Sequence, residues 1–186
     1  MRKVLLGLVA IGLALTACEK KGEEAKPVGK LEFSVIPDTL AVALEPGDHT
    51  VSVTGKETGG AAVAMDSVVV VVTYIDGSPI MLAGQNLTES QLTWRARSPE
   101  EGGPMAGMLG EFWSFGANET KTFQLPVSIG ISMERPEGFV GLYFPIMYLQ
   151  AAMDKGGFRV TLTYEATDES GNPVVGTITL YIVVVT

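Results

Sequence analysis

Histidine and cysteine, which often act as catalytic bases and nucleophiles, occur only once each in this 186-residue chain. Its one histidine, His49, follows Asp48 and would be needed for a serine–histidine–acid triad, but the chain has no Gly-x-Ser-x-Gly turn to present a nucleophile. A pair of carboxylates could hydrolyse a glycoside, and Glu100, Glu101 and Glu111 lie near aromatic residues. Acidic residues are so common in this chain that such proximity carries little weight. We therefore predict a protein that is not an enzyme.

One loop has the composition of a cation site. Asp168–Asn172 offers oxygen atoms at alternate positions, as calcium loops do. However, Pro173 stands where the EF-hand pattern requires glycine, and Asp, Ser, Gly and Asn are also the ordinary residues of hairpin turns. This favours a plain hairpin loop, and we predict no metal and no cofactor.

A glycine-rich segment with large apolar side chains, Met105–Phe115, is the place where a binding function could show. Such residues could form an exposed patch for a partner, a glycan or a lipid. Alternatively, the segment folds back and closes one end of the core. The candidate contact residues are Met108, Phe112 and Trp113.

The first residues have the three parts of an export signal. Arg2 and Lys3 are basic, Val4–Leu15 is an apolar and glycine run, and the small residue Ala17 precedes Cys18. The apolar run is too short for a bilayer-spanning helix, which needs about 20 residues. Cys18 is the only cysteine, so the remainder of the chain can form no disulfide and no thiolate site.

The ending Leu15-Thr16-Ala17-Cys18 resembles the lipobox of bacterial lipoproteins. The resemblance implies that residues 1–17 are removed and that Cys18 becomes the first residue of the mature protein. It also implies that Cys18 carries two or three acyl chains, such as palmitate, which anchor the protein in the membrane. In such families an aspartate after the cysteine often retains the protein in the inner membrane. Glu19 therefore favours the outer membrane, if the organism has one.

The distribution of charged residues distinguishes an N-terminal tether from the remainder of the chain, which is acidic. Residues 19–30 are polar and charged, and with Cys18 they form an expected flexible tether, 18–30. From Leu31 onward there are 7 basic and 18 acidic residues, a net charge of −11. Nucleic-acid binding needs a basic surface, so this balance predicts no nucleic-acid partner.

The body, residues 31–186, is predicted to consist of short strands because apolar and polar residues alternate between turn signals. In Ser67–Ile75, five successive valines suggest a strand covered on both faces, and Pro126 suggests an edge position. The predicted strands are Leu31–Ile36, Leu40–Leu44, His49–Thr54, Ser67–Ile75, Gln91–Arg97, Thr120–Ile129, Phe158–Ala166 and Val174–Val185.

Three further segments are less regular. Gly55–Ala64 looks mobile, and Ile80–Leu82 is predicted to return as a strand after the turn at residues 76–79. Phe139–Asp154 is either one long strand, or a strand to Phe144 followed by a short helix near residues 145–154.

Short strands at this spacing predict an all-β protein, an antiparallel β-sandwich. The pattern resembles the immunoglobulin-like sandwiches of bacterial envelope proteins, although the Cys…Trp…Cys framework of antibody domains is absent. The expected protein is held to the membrane by lipid on Cys18 and binds or scaffolds an envelope protein or glycan in the periplasm or at the cell surface. The alternative is a module that binds a carbohydrate or apolar ligand through aromatic residues of the 94–115 region, Trp94 and Trp113 among them, together with Tyr143.

Overall fold

The computed structural model describes residues 26–87, 93–97 and 109–185, with the main chain only at positions 93 and 94. Cys18 lies outside these residues. The strands are β1 (Leu31–Ile36), β2 (Thr39–Ala43), β3 (Gly47–Glu57), β4 (Val63–Tyr74), β5 (Met81–Leu82), β6 (Gln85–Asn86), β7 (Thr93–Ala96), β8 (Ser114–Phe115), β9 (Thr120–Gly130), β10 (Leu142–Pro145), β11 (Gly157–Asp168) and β12 (Pro173–Val185). One α-helix, α1 (Ile146–Ala152), and two 3₁₀ turns, Gly110–Trp113 and Met153–Lys155, complete the described elements.

The strands form two sheets that pack into an immunoglobulin-like β-sandwich, as predicted. The first sheet has the order β1-β3-β9-β10, and the second has the order β2-β12-β11-β4-β7, with β8 also pairing with β4. Most neighbours are antiparallel, but β9 pairs with β10 in parallel, and β2 pairs with β12 in parallel. A small ladder of β5 and β6 lies outside both sheets.

The chain changes sheets between β1 and β2. It leaves the first sheet at Ile36, passes through a cis peptide bond to Pro37 and enters the second sheet at Thr39. The main-chain N–H of Tyr181 donates to the carbonyl of Asp38 at 2.8 Å, which fixes the start of β2 beside β12. β1 and β2 are therefore edge strands on the same side of the sandwich, one in each sheet.

The core lies between the sheets and is built from one face of each strand. In β4, Val68, Val70 and Val72 are buried, whereas Val69 and Val71 on the other face are half-buried. The valine run is thus covered fully on its inner face and only partly on its outer face. Opposite β4 and β11, the first sheet contributes Val51, Val53, Leu125, Val127 and Ile129. Each such side chain stabilises the fold by about 1.5–3 kcal/mol when it leaves water.

Two sequence predictions are confirmed in detail, and a third holds in part. The hairpin of β11 and β12 spans Gly157–Val185, close to its predicted ends. Residues 142–155 form a strand followed by a helix, and Gly156, with φ 79°, ends the helical segment in the left-handed conformation. Pro126 lies at an edge only locally: β9 is an inner strand of its sheet, but β10 joins it only from Val127 onward.

Two predictions are wrong. Gly55–Ala64 is not a mobile connection throughout, because β3 continues to Glu57 and β4 begins at Val63. Position 55 in β3 has no room for a side chain, because the Phe33 and Phe115 rings lie against it. A Cβ atom there would be 2.6 Å from Phe33 Cε1. Ile80–Leu82 does not return along β4. Instead, Met81–Leu82 pairs with Gln85–Asn86.

Candidate functional site at the N-terminal junction

Two carboxylates are buried within the described residues, and both bind the segment that leads into β1. They are Glu57 at the end of β3 and Asp168 at the end of β11, with side chains 0% and 4% exposed. β3 pairs with β1 so that Glu57 lies opposite Leu31, and β11 pairs with β4 so that Asp168 lies opposite Val63. Both acids therefore lie at the end of the sandwich where the chain enters it.

Glu57 accepts four hydrogen bonds from main-chain N–H groups. Its Oε1 atom accepts from Lys30 at 3.0 Å and Gly59 at 2.7 Å, and Oε2 accepts from Gly60 at 3.0 Å and Asn118 at 2.8 Å. Burial alone would raise the pKa of Glu57, but these four donors together lower it below its usual value. The carboxylate is thus charged and fully occupied, and it joins three segments of the chain.

Asp168 makes a similar set of contacts in the β11–β12 loop. The side-chain amide of Asn172 donates to both carboxylate oxygens, at 3.2 and 2.9 Å, and the main-chain N–H groups of Ser170 and Asn172 donate to Oδ1. Oδ2 accepts from the main-chain N–H of Gly29 at 3.0 Å. The Asn172 amide and the Gly29 N–H lower the pKa of Asp168 to about 2. These oxygens accept from N–H donors, which is the geometry of the plain hairpin loop.

Gly29 fits against Asp168 and Val63 because it has no side chain. A Cβ atom there would be 2.6 Å from Val63 Cγ2 and 2.7 Å from Asp168 Cβ. The next residue is held on both sides: Lys30 N–H donates to Glu57, and the Lys30 carbonyl accepts from Thr58 N–H at 2.8 Å. The chain is therefore fixed to the sandwich from Gly29 onward, two residues before β1, whereas residues 26–28 are exposed.

Sequence reasoning missed this junction. A glutamate in a stretch that looked mobile gave no local sign of burial, and Asp168 was considered only as a cation ligand. The sequence feature that could have indicated the junction is its glycines. The N–H groups of Gly29, Gly59 and Gly60 donate to the two carboxylates, and the lack of a side chain leaves these N–H groups accessible.

The predicted contact residues lie in the core. Phe112 and Trp113 are 3% and 7% exposed, in the 3₁₀ turn before β8. The Phe112 ring packs against Phe123 at 4.6 Å, Phe115 at 5.4 Å and Phe33 at 6.2 Å between ring centroids. These two side chains are therefore unavailable to an external ligand and instead close the core, which was the alternative interpretation. Met108 lies outside the described residues.

The other predicted residues are scattered. Tyr143 is buried in β10, and its hydroxyl donates to the Ser132 carbonyl at 2.9 Å. His49 is half-buried in β3 beside Val127, and Glu111 is exposed. The Trp94 side chain, Glu100 and Glu101 lie outside what the structure describes. Among the residues it does describe, no three of the types that bind metals come together.

Two cavities bear on ligand binding. An apolar cavity of about 30 Å³ lies between the sheets, bordered by residues such as Phe33, Leu162 and Phe112. It has room for about one water molecule, far less than a sugar ring or an acyl chain needs. A larger groove, about 520 Å³, crosses the outer face of the second sheet near Ser67, Arg95 and Glu165. Its lining combines apolar side chains with polar and charged ones, and Ser67 Oγ donates to Glu165 Oε2 at 3.0 Å.

None of the helices in residues 26–87, 93–97 and 109–185 has the length and apolar character needed to cross a membrane. No protein-family model and no curated protein matches the chain.

Several solved structures align with most of this chain at low sequence identity. An ApaA-type protein from Bordetella pertussis is 11% identical, with a TM-score of 0.38 over 84% of this chain and 96% of the other. The CARDB domain of the PF1109 protein from Pyrococcus furiosus, solved with di-metal ions, is 16% identical, with a TM-score of 0.32 over 86% of this chain and 89% of the other. These TM-scores are below 0.5, so neither likeness informs the function of this chain.

Proposed function

We propose that this protein is a lipid-anchored bacterial envelope protein with a binding or scaffolding role and no catalytic activity. The observation that carries the proposal is the lipobox-like ending Leu15-Thr16-Ala17-Cys18, because the only cysteine of the chain occupies the position that lipidation requires. The signal, residues 1–17, is removed during export, and acyl chains on Cys18 hold the protein in the membrane. The outer membrane is the favoured site in a bacterium with two membranes.

The junction at Gly29 supports this proposal mechanically. In an anchored domain, the flexible tether must end at a defined point of the fold. Here Asp168 holds the chain at Gly29, and Glu57 holds it at Lys30. Ten residues lie between Cys18 and Gly29, so the tether has eleven Cα–Cα steps and reaches at most about 40 Å when fully extended. The sandwich would stay within that distance of the membrane surface, with its junction end turned towards the lipid.

The absence of catalysis is proposed from the whole sequence. With one histidine and with its only cysteine used for lipid, the chain lacks the groups of a serine, cysteine or thiolate-metal enzyme. A substrate turned over at a rate that His49→Ala or Glu111→Gln abolishes would contradict this part of the proposal.

Mass spectrometry of the N-terminus, after expression in a bacterial host, tests the anchor. We expect a mature chain that begins at Cys18 with acyl chains attached, incorporation of labelled palmitate, and sedimentation with membranes. Cys18→Ser should abolish the label and the membrane association. Glu19→Asp is the matched control for sorting, since it keeps the lipid but should move the protein to the inner membrane. An unmodified Cys18, or cleavage elsewhere, would refute the proposal.

A carbohydrate-binding role is the second candidate, and the groove on the outer face of the second sheet, with its mixed polar and apolar lining, is the observation that favours it. The groove brings carboxylate, hydroxyl and guanidinium groups together at residues 66, 67, 95, 97 and 165. Such groups hydrogen-bond the hydroxyls of a sugar. Titration with envelope glycans tests this role, and binding that survives Glu165→Gln unchanged would contradict it.

A further inference from the structure

The groove on the outer face of the second sheet lies at an irregularity in β4. Glu165 pairs with Ser67, whereas the next residue of β11 pairs with Met65. β4 therefore has one extra residue, Asp66, relative to β11. Bulges of this kind redirect side chains and often lie beside functional sites. Here Asp66 and Ser67, which are consecutive in the chain, both line the groove.

The groove carries charges of both signs. Among the described residues, its lining includes two acidic and two basic side chains: Asp66, Glu165, Arg95 and Arg97. Residues from Leu31 onward have a net charge of −11, so this balance distinguishes the groove from the body as a whole. A ligand with one sign of charge would be attracted by one pair of side chains and repelled by the other. The balance therefore favours a ligand that carries both.

The charged side chains can bind a ligand in addition to their present partners. Thr167 Oγ1 donates to Asp66 Oδ2 at 2.6 Å, and Ser67 Oγ donates to Glu165 Oε2 at 3.0 Å. Each of these bonds uses one oxygen of its carboxylate, and a carboxylate accepts several hydrogen bonds. A guanidinium likewise offers several N–H donors, so one partner does not occupy it fully.

The arginines and Glu165 are separated by two strand spacings. Arg95 lies in β7 and Arg97 directly follows that strand, whereas Glu165 lies in β11, with β4 between the two strands. Their main chains are therefore about 10 Å apart. The amino and carboxyl groups of a single amino acid are much closer than this, whereas groups on two neighbouring sugar units can span it. The groove volume, about 520 Å³, is in the usual range for a site that holds a small ligand.

The neutral part of the lining suits a sugar. Val69 lies between Arg95 and Thr163 in the strand register and is half-buried, so it offers an apolar floor for the C–H groups of a sugar ring. Thr163 and Ser67 add hydroxyl groups, which hydrogen-bond the hydroxyls of a sugar. Charged and neutral groups thus alternate across the groove.

We propose that this groove binds a glycan in which one sugar unit carries an amino group and its neighbour carries a carboxylate. The protonated amino group lies against Asp66 and Glu165, and the carboxylate lies against Arg95 and Arg97, which gives charge-assisted hydrogen bonds at both ends. The inference rests on the carbohydrate-binding role proposed above and is independent of the lipid anchor.

Calorimetric titration of the purified full-length chain with four disaccharides tests the inference. Glucosamine or N-acetylglucosamine, linked to N-acetylmuramic acid or to N-acetylglucosamine, gives every combination of an amino group and a carboxylate. The disaccharide with both charges should bind about tenfold more tightly than either disaccharide with one, because it gains a further charge-assisted contact. The disaccharide with neither charge should bind most weakly.

Two variants assign the charges to their partners. Glu165→Gln should remove the preference for the amino group and keep the preference for the carboxylate. Arg95→Gln should do the reverse. Glu137→Gln is the matched control, since it removes one exposed carboxylate from the loop between β9 and β10, outside the groove, and should keep both preferences. Thermal unfolding of each variant reports its stability in the same preparation.

Other outcomes overturn the inference in distinguishable ways. Equal affinity for the four disaccharides, weakened by Glu165→Gln, would remove the requirement for two charges and leave the carbohydrate role in place. Failure of all four to bind would remove both. Trialanine, which has an ammonium and a carboxylate at its ends, would point to a peptide ligand if it bound more tightly than every disaccharide. Variants that lose stability but keep the wild-type preferences would show that the charges of the groove serve only one another.

Discussion

The carboxylate of Asp168 accepts a hydrogen bond from the main-chain N–H of Gly29, 139 positions earlier in the chain, at 3.0 Å. The bond connects the last hairpin of the sandwich to the segment that precedes its first strand. Glu57 holds the next residue, Lys30, in the same way. Two acids from opposite sheets therefore determine where the N-terminal segment becomes part of the folded domain.

Asp168→Asn should loosen this junction while the sandwich stays folded. The asparagine side chain has one acceptor oxygen, so its NH₂ group faces donors that now bind a carboxylate. We expect the Gly29 amide to exchange about tenfold faster and trypsin to cleave after Lys30 more readily. Glu169→Gln removes the same charge from the exposed neighbouring residue and should change neither measurement. Unaltered exchange at Gly29 in Asp168→Asn would show that the bond does not hold the segment.

Stability should fall at acid pH through the same carboxylate. The pKa of Asp168 is about 2 in the folded protein against an ordinary value of 3.8, so its contribution is complete above pH 3.8 and disappears as the pH falls towards 2. The pKa of Glu57 is also lowered, which adds a loss in the same direction. Denaturant unfolding of wild type and Asp168→Asn at a series of pH values measures this effect. The two curves should converge as the pH falls from 5 to 2, and parallel curves would contradict the assignment.

Glu57→Gln should destabilise the domain by about 3 kcal/mol. The substitution keeps the size of the side chain but leaves some of the four buried N–H donors without an acceptor, and each such group costs about 1–3 kcal/mol. Urea unfolding gives the free energy of unfolding directly. Glu111→Gln, at an exposed position, is the control and should change stability by less than about 0.5 kcal/mol. A Glu57 variant as stable as the control would mean that the junction contributes little to stability.

Phe112→Ala should cost about 3–5 kcal/mol, as truncation of a buried phenylalanine usually does. Its ring contacts Phe33, Phe115 and Phe123 between the sheets, and the smaller side chain would leave a cavity there. Thermal unfolding measures the loss, with Glu111→Ala on the exposed neighbour as the reference. A variant of normal stability that had lost binding to an envelope partner would instead restore Phe112 as a contact residue.

The sequence alone was sufficient to predict the strands in which apolar and polar residues alternate regularly. Val51 and Val53 in β3, and Phe158–Ala166 in β11, repeat with a period of two because one face of each strand is buried, and that condition acts on neighbouring residues. Helix α1 was indicated by Pro145 and the glycines after it, which act within a single helix. The lipobox-like ending Leu15-Thr16-Ala17-Cys18 is likewise a pattern of adjacent residues, and the lipid anchor that it predicts stays a prediction.

Contacts between distant residues were decided by the tertiary structure. Glu57 looks like a surface residue until β3 brings it to Lys30 and the turn before β9 brings Asn118 to the same carboxylate. Phe112 looks like an exposed contact residue until both sheets surround it. Met81 and Leu82 pair with Gln85 and Asn86 rather than with β4. Burial and pairing of this kind depend on which segments meet across the sandwich, and a local pattern cannot encode a partner that lies 61 or 139 positions away.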